Sequence, residues 1–430
     1  MDGQKRTVRR RFRPGRMLAV LAGLLVLGGS IVAAKTFLEP LGAFGTPTKN
    51  ASPQYHQFAF RHRITILLMG SSLQTAANGT LITNKNARNR TDTMILLSID
   101  PTTKQVGVLS IPRDTLVNLP GVGVTKIAEA AYVGGLPEAV QVVQSTFHVP
   151  VDYYAYLSMF QFPKLINDMG GLVVDVPHPE VYQPSGGKLG IDLKAGVQRL
   201  NGWQVLAFTR FRQTQQGDIS RIQQQQTVLQ DIAHQLLQPK NIPLIPKLVG
   251  DFSNMVNTNM STPQMLSLAL FSKQINLSTI RYGTVPGMAT QNHDALLSGV
   301  LDNWTMSQHL TSVVIQNVLL AQQLTATQKK SLKIYVASGT SSLAPANALA
   351  QQLTKSGYTV VGVGWANTHT HQRTVILNTT GDKWLDTSLQ QMVGSSVVQF
   401  TAYHTTPWDL KITVGSDYTA PTGGSSSSGG

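Results

Sequence analysis

Short apolar runs separated by turn residues mark the first folded part of the chain. Residues 64–69 form one such run, and two more six-residue runs, 94–99 and 106–111, flank an Asp-Pro turn. Runs of this length and composition predict strands, and the turn between the last two predicts an antiparallel hairpin. Stretches with helical spacing, at 127–147 and 219–237, follow these strands along the chain. The pattern therefore predicts an α/β body.

A second pattern of the same kind begins near residue 331. Strand-like runs at 332–337 and 358–364 flank a helical stretch, and three more strand-like runs follow before a Gly/Ser-rich end. We therefore expect a small C-terminal α/β domain over residues 331–416. The composition of residues 417–430 is typical of a disordered Gly/Ser tail.

The N-terminus has a different pattern, a basic tail followed by an uncharged apolar run. Residues 1–16 contain seven Lys or Arg residues and one Asp, whereas residues 17–34 contain no charged residue. The run is long enough to span a bilayer, and the basic residues before it predict a cytoplasmic N-terminus. A cleavable signal peptide is the alternative, but its apolar region is usually shorter. We expect a transmembrane signal-anchor over 17–36, a linker over 37–60 and an extracellular body.

Composition adds a basic balance and a complete lack of cysteine. The 430 residues carry a formal net charge of +14, although only 13% of them are charged. Without cysteine the chain has no disulfide, no thiol nucleophile and no Cys-bound zinc. The basic excess favours an anionic partner. Nucleic acid is not the partner we expect, because the basic tail is short and no helix-turn-helix pattern precedes the apolar run.

The predicted hairpin brings charged residues together at one edge of the sheet. Asp92 precedes its first strand, and Arg113 and Asp114 follow its second, so antiparallel pairing places them side by side. Pro112 ends the ladder there because it lacks an N–H group. Ser72, after the preceding strand, reaches the same edge if that strand is also antiparallel. A salt bridge at a sheet edge would by itself explain these residues.

A second group of charges follows a predicted short helix. Asn201 and Gln204 are spaced as a capping box that starts this helix. The segment 207–212 then alternates between apolar and polar residues. If this segment is extended, Arg210 and Arg212 point the same way. Arginine holds phosphate through a planar fork, which favours an anionic ligand at this place.

The next helix begins with an acid and a base. Asp218 is suited to the N-cap position, and Arg221 lies in the first turn, where the helix dipole disfavours a cation. An anion bound between Arg221 and the free backbone N–H groups would remove this conflict. A surface ion pair between Asp218 and Arg221 is the alternative. Several arginines together with aspartates suit a phosphorylated ligand and a divalent ion.

Several motifs together resemble the LytR-CpsA-Psr (LCP) family. They occur in the family's order, in segments 90–117, 126–135, 166–177 and 200–226. The resemblance implies an α/β/α LCP catalytic domain around a mixed β-sheet, which we place at residues 61–320. Residues 331–416 resemble the LytR C-terminal domain that often follows it.

The resemblance implies a membrane-anchored extracytoplasmic phosphotransferase of a Gram-positive-type envelope. Such enzymes attach anionic glycopolymers, teichoic acid or capsule-like chains, from polyprenyl-pyrophosphate carriers to peptidoglycan. Asp92, Arg113 and Asp114 match catalytic positions, and Asp92 and Asp114 lie on the side of a Mg²⁺ (or Mn²⁺) ion. The pyrophosphate-binding positions of the family are matched by Arg113, Arg210, Arg212 and Arg221. Asp218 matches an acidic motif position without an assigned role.

The chain departs from the family pattern at the end of the first strand. The family usually has Gly-x-Asp-x-Arg there, whereas Ser72 and Gln74 stand at the Asp and Arg places of this chain. A hard cation depends on carboxylate charge, so this change weakens the expected metal site. A polyprenyl-pyrophosphate hydrolase and a catalytically weak lipid- or wall-binding protein are therefore the alternatives. A DNA-binding transcriptional regulator is disfavoured by the short basic tail.

Overall fold

The fold is seen in a computed structural model that describes most of the chain after residue 59. The described residues are 60–71, 90–157, 161–182, 191–209, 256–261, 274–297, 299–394, 396–419 and isolated positions between 224 and 271. The expected signal-anchor, residues 17–36, lies outside them. Within the described part, no helix is both long enough and apolar enough to cross a membrane.

The described chain contains both strands and helices, and the strands occur mostly in consecutive groups. The strands before residue 310 are β1 (Ile64–Ser71), β2 (Thr91–Asp100), β3 (Gln105–Ile111), β4 (Leu116–Leu119), β5 (Gly123–Lys126), β6 (Tyr153–Leu157), β7 (Leu172–Val176), β8 (Glu180–Tyr182), β9 (Ile191–Leu193), β10 (Gly196–Leu200), β11 (Val256–Thr258), β12 (Arg281–Thr284), β13 (Gly287–Asp294) and β14 (Gly299–Met306). The helices of this part are α1 (Ala130–Val133), α2 (Gly135–Phe147), α3 (Gln161–Asp168), α4 (Gly202–Phe208) and α5 (Gln308–Val314), with 3₁₀ turns at Ile127–Glu129 and Leu277–Thr279 and a π turn at Ile315–Leu319.

A six-stranded mixed sheet forms the centre of this part. Its strand order is β11-β6-β1-β2-β3-β12. The pairs β1–β2, β2–β3 and β6–β11 are antiparallel, whereas β1–β6 and β3–β12 are parallel. The expected mixed sheet is therefore confirmed. The expected hairpin is confirmed as β2 and β3, with Met94 opposite Ile111 and Asp100 opposite Gln105.

Apolar side chains pack on both faces of this sheet, because the central strands β1, β2 and β3 have apolar residues at successive positions. On one face, Leu97 and Val108 pack with α3 and α4. On the other face, Leu96 and Leu109 pack with α2 and the π turn. Full burial of one such side chain contributes about 1.5–3 kcal/mol, so the two apolar layers hold the sheet between them.

The turn between β2 and β3 forms because Asp100 holds its own backbone. One carboxylate oxygen of Asp100 accepts hydrogen bonds from the N–H groups of Thr102 and Thr103, at 2.9 and 3.1 Å. Lys104 completes the turn with a left-handed backbone, φ 57°. This local bonding is the reason that Asp is favoured at the start of turns.

The capping box predicted for α4 is present, but the helix is longer than the expected pattern. The Asn201 side chain accepts from the N–H of Gln204, and the Gln204 side chain accepts from the N–H of Asn201. The expectation of an extended segment from residue 207 is wrong for Ala207 and Phe208, which lie in α4. Val205 and Phe208 are fully buried and three positions apart, a spacing that suits one helix face.

A second unit contains a five-stranded sheet covered by helices. After α6 (Ala326–Ser331), its elements are β15 (Lys333–Ser338), α7 (Ala344–Lys355), β16 (Thr359–Trp365), β17 (Thr374–Asn378), α8 (Lys383–Val393), β18 (Ser396–Phe400) and β19 (Leu410–Val414). The strand order is β16-β15-β19-β17-β18. Each strand-like run in this part of the sequence thus forms a strand. Buried residues of α7 and α8 share one core with α5.

Main-chain contacts along β12 join the two units. The N–H of Thr284 donates to the carbonyl of Gly381 at 2.8 Å. A Cβ on Gly283 would lie 2.9 Å from the same oxygen, so this close approach needs glycine. Fully buried Asp382 N-caps α8 and accepts from Asn317 Nδ2 at 2.6 Å. The units are therefore packed together through both backbone and side chains.

Glu180, at the start of β8, carries a buried carboxyl group whose two oxygens have different surroundings. The Glu180 side chain is 3% exposed, and its Oε1 accepts from Gln224 Nε2 at 2.9 Å. Among the described residues, its Oε2 has no hydrogen-bond partner. Burial raises the pKa of Glu180 to about 7. Because this pKa is higher than that of the unfolded chain, the protonated carboxyl favours folding at low pH, and this contribution is lost as the pH rises through 7.

We expect Glu180→Gln to stabilise the protein at pH 8 and not at pH 4.5. The amide has the shape of the protonated acid and needs no desolvation of a charge. A gain of about 1 kcal/mol at pH 8 corresponds to a rise in Tm of roughly 2–4 °C. Thermal melts at both pH values check this, with exposed Asp302→Asn as the control. A larger gain at pH 4.5 than at pH 8 would contradict the assigned protonation.

Candidate functional site

Three strand ends meet at one edge of the central sheet. Gly70, near the end of β1, lies opposite Thr93 at the start of β2. Met94 lies opposite Ile111, the last residue of β3. β1 is therefore antiparallel to β2, an arrangement that the sequence left open. Asp92, which is the second residue of β2 rather than a residue before it, lies beside Arg113, two residues after β3.

Arg113 is the centre of the charges at this edge. One terminal guanidinium nitrogen (Nη1) donates to Oδ1 of Asp92 at 2.6 Å, and its Nε lies 3.4 Å from Oδ2 of Asp114. All three side chains are between 18% and 28% exposed, so water reaches them but does not surround them. The three residues that the predicted hairpin places side by side are thus in contact.

Lys126 is a member of this cluster that the sequence reasoning missed. Its Nζ donates to Oδ1 of Asp114 at 2.8 Å, and its side chain is 16% exposed. The β4–β5 hairpin carries it to this place, because Lys126 pairs with Leu116, two residues after Asp114. The signal was available, since Lys126 opens the segment 126–135 that resembles the family. Asp114 therefore lies between two cations.

A second ion pair adjoins the cluster and was also missed. Nε of Arg90 lies 2.6 and 2.8 Å from the two oxygens of Glu129, and Glu129 is 2% exposed. The Arg90 guanidinium also lies 5.5 Å from the centre of the Tyr132 ring. Arg90 is two residues before Asp92, and Glu129 is three residues after Lys126. Both residues belong to segments that resemble the family motifs, and this resemblance marked them as candidates for the site.

Backbone hydrogen bonds fix the segment that carries Arg113. The N–H and Oγ1 of Thr115 both donate to the carbonyl of Pro112, at 3.0 and 2.6 Å. The carbonyl of Arg113 accepts from the N–H of Ala128 at 3.1 Å. Fully buried Thr115 thus closes a tight turn directly after β3. The turn holds Arg113 in place.

The remaining predicted site residues lie outside the described residues. They are Ser72, Arg210, Arg212, Asp218 and Arg221. Their roles stay predictions. Of the helix expected at 219–237, the described positions 224, 227, 228, 231, 232 and 235 are helical.

One known family matches the sequence that forms this site. The LytR_cpsA_psr family matches residues 44–315, more than half of the 430-residue chain. The chain belongs to this family. The matched LytR_cpsA_psr region contains the whole described cluster from Arg90 to Glu129. It ends at the start of the π turn, so the five-stranded C-terminal unit lies beyond it.

Curated LytR_cpsA_psr relatives share this region. The chain is 34% identical over 189 residues to "Polyisoprenyl-teichoic acid--peptidoglycan teichoic acid transferase TagV" of Bacillus subtilis, which covers 43% of this chain and 48% of that protein. It is 28% identical over 198 residues to "Regulatory protein MsrR" of Staphylococcus aureus, which covers 46% of this chain and 57% of that protein. The chain thus spans about half the length of the curated relatives it matches.

A solved structure shares the fold. The crystal structure of B. subtilis TagV aligns with a TM-score of 0.51 and 26% identity, over 60% of this chain and 97% of that chain. The mixed sheet with its helices is therefore the fold of an LCP protein.

The described LCP site alternates positive and negative side chains. Arg90, Arg113 and Lys126 stand against Asp92, Asp114 and Glu129. Among the residues that the structure describes, no group of three or more His, Asp or Glu side chains is arranged to hold a metal ion. Three cations and three carboxylates therefore lie together at this end of the sheet.

Proposed function

We propose that this LCP protein transfers an anionic glycopolymer from a polyprenyl-pyrophosphate carrier to peptidoglycan. The observation that carries the proposal is Arg113, held between Asp92 and Asp114 at the sheet edge, inside the region that matches the family. The transferase name of the 34% identical relative TagV supports the same reaction class. The proposed glycopolymer is a teichoic acid or a capsule-like chain.

In the proposed reaction, a hydroxyl of the acceptor attacks the phosphorus on the polymer side of the pyrophosphate. A new O–P bond forms while the bond to the bridging oxygen breaks. Polyprenyl monophosphate leaves with the bridging oxygen, and the hydroxyl proton balances its new charge. Cations beside the leaving phosphate lower the barrier most, since phosphoryl transfer depends on positioning and charge stabilisation. We assign this role to Arg113 and Lys126, with Arg210, Arg212 and Arg221 as further pyrophosphate ligands.

We further propose Mg²⁺ (or Mn²⁺) as the cofactor. Magnesium is usually bound by one or two carboxylates together with substrate phosphates and water, so it needs no all-protein cage. Asp92 fits this requirement, because it lies at the edge with a single described cation, Arg113, against it. Asp114, between Arg113 and Lys126, is the second candidate ligand. When bound, the ion would neutralise pyrophosphate charge.

The location and the domain boundaries complete the proposal. We place residues 17–36 in the membrane with residues 1–16 in the cytoplasm and the body outside it, on the basis of the apolar run and the basic tail. We assign residues 61–320 to the catalytic domain and 331–416 to a LytR C-terminal-type domain.

The test uses the purified full chain in detergent micelles. It is incubated with a labelled polyprenyl-pyrophosphate disaccharide, magnesium and peptidoglycan oligomers. The expected product is a disaccharide joined to peptidoglycan by a phosphodiester, identified by mass spectrometry. Release of the sugar phosphate into water, without peptidoglycan product, would instead assign a pyrophosphate hydrolase. Lipid that co-purifies without either product would assign a binding role.

A further inference from the structure

The β13–β14 ribbon holds one end of the segment that carries Asp114 and Lys126. The N–H of Trp304 donates to the carbonyl of Asp114 at 2.8 Å, and Trp304 forms a parallel bridge with Thr115. Trp304 is 5% exposed, and its Nε1 donates to the carbonyl of Val285 at 3.1 Å. The backbone of Asp114 is therefore attached to a buried ring that is itself fixed to the end of β12.

The far end of the same ribbon holds the other end of this segment. Asp294 is fully buried, and both of its carboxylate oxygens lie 3.0 Å from Oγ1 of Thr125, the neighbour of Lys126. The N–H of Ala295 donates to the carbonyl of Val124 at 3.0 Å. The ribbon thus bonds to Asp114, just before β4, and to Val124 and Thr125 of β5, beside each member of the Lys126–Asp114 pair.

The C-terminal unit clamps the base of the ribbon. The N–H of Gly287 donates to the carbonyl of Ala402 at 3.0 Å, and the N–H of His404 donates to the carbonyl of Gly287 at 2.7 Å. The Tyr403 ring packs edge-to-face on Trp304, with ring centres 5.0 Å apart. A Cβ on Gly287 would lie 2.3 Å from the carbonyl oxygen of Thr305, so the clamp needs glycine there.

We propose that Tyr403 of the C-terminal unit and Trp304 and Asp294 of the ribbon are positioning residues that hold the Lys126–Asp114 pair for the transfer reaction. The contacts that reach the pair are a backbone hydrogen bond to Asp114 and a side-chain bond to Thr125. Misplacement of a charged group by about 1 Å can lower a rate by a hundredfold, so support of this kind has a catalytic effect. The C-terminal unit is then a structural part of the site.

A positioning role and ordinary packing predict effects of Tyr403 removal in different parts of the protein. If Tyr403 supports only the C-terminal core, its removal lowers stability and leaves the site unchanged. If it positions the pair, its removal loosens residues 114–126 and lowers kcat while substrate binding stays the same. The kinetic part rests on the proposed function, whereas backbone hydrogen exchange reports the loosening without any activity.

The first test compares Tyr403→Ala with Tyr403→Phe and Trp365→Ala. Trp365 is an exposed aromatic residue on β16, the edge strand opposite β18 in the same sheet, so it is a matched control. Hydrogen exchange in residues 114–126 is expected to be about tenfold faster in Tyr403→Ala and unchanged in the other two variants. Unchanged exchange in Tyr403→Ala would overturn the proposal.

The second test measures the transfer reaction with the polyprenyl-pyrophosphate disaccharide. We expect Tyr403→Ala and Thr125→Val each to lower kcat about tenfold with KM within twofold. Thr125→Ser keeps the hydroxyl for Asp294, so its kcat should equal that of the wild type. Normal kcat in a folded Tyr403→Ala protein would overturn the proposed positioning role. So would a kcat of Thr125→Ser that is as low as that of Thr125→Val. If the wild type neither transfers nor hydrolyses, the proposed function fails, and the exchange result alone decides whether the C-terminal unit holds the pair.

Discussion

Replacing Arg113 with alanine is expected to lower polymer transfer by about a hundredfold or more, the loss typical of removing one electrostatic donor from an active site. The change removes the cation that lies 2.6 Å from Asp92 and 3.4 Å from Asp114. It therefore leaves two carboxylates facing an incoming pyrophosphate without the charge that separates them. The rate is measured under saturating lipid substrate, so that a loss of chemistry is separated from a loss of binding.

Arg63 offers a matched control, because its ion pair lies at the other end of β2. One of its terminal nitrogens (Nη2) lies 3.0 Å from Oδ2 of Asp100, at the end of β2 opposite to Asp92, and the side chains are 23% and 18% exposed. The corresponding values for Arg113 and Asp92 are 28% and 18%. Arg63→Ala should therefore lower the Tm by a similar amount and leave transfer unchanged. Equal activity losses in the two variants would show that the effect of Arg113 comes from stability.

Arg113→Lys separates charge from geometry. Lysine keeps the positive charge, but it lacks the planar fork that can hold carboxylates and phosphate at the same time. We expect activity between those of the wild type and Arg113→Ala. Full activity in Arg113→Lys would mean that a point charge is sufficient at this place.

The contact between Asp92 and Arg113 could be predicted from the sequence because it depends on one hairpin. Two apolar runs around an Asp-Pro turn define the register, and Pro112 defines where the ladder ends. In an antiparallel pair this information fixes which residues meet at the edge. The core strands of the C-terminal unit were predictable for the same reason, since each run is short, apolar and bounded by turn residues.

The family motifs mark Lys126 as a candidate, but the geometry that brings it to Asp114 could not be predicted, because it depends on weakly patterned segments. Lys126 reaches Asp114 through a hairpin of two four-residue strands, with positive φ at Gly121 in the turn and at Gly123, the first residue of β5. The β13–β14 ribbon is rich in polar residues and carries no strong strand signal. The expectation of an extended segment failed at Ala207 and Phe208 because Phe208 is buried with Val205, three positions earlier, on one face of α4.

The contacts of the two carboxylates predict different responses to magnesium. Oδ1 of Asp114 lies 2.8 Å from Lys126 Nζ, and Oδ2 lies 3.4 Å from Arg113 Nε, so each oxygen already faces a cation. For Asp92, Oδ1 lies against Arg113, and among the described residues Arg113 is the one cation paired with it. A divalent ion is repelled by neighbouring cations, which favours Asp92 as its ligand and leaves Asp114 to orient Lys126.

Asp92→Asn is therefore expected to raise the magnesium concentration for half-maximal transfer by about tenfold or more, since even outer-shell changes cost 10–100-fold in metal affinity. Asp114→Asn should lower kcat, because Lys126 loses the carboxylate that holds it, while the half-maximal magnesium concentration stays within about twofold. Calorimetric titration of magnesium in the presence of inorganic pyrophosphate measures the same difference without turnover. Ser72→Asp adds a carboxylate at the place where the family has one, and it should lower the half-maximal concentration if residue 72 lies at the ion. Equal shifts in Asp92→Asn and Asp114→Asn would instead assign both carboxylates to the metal, as the family resemblance implies.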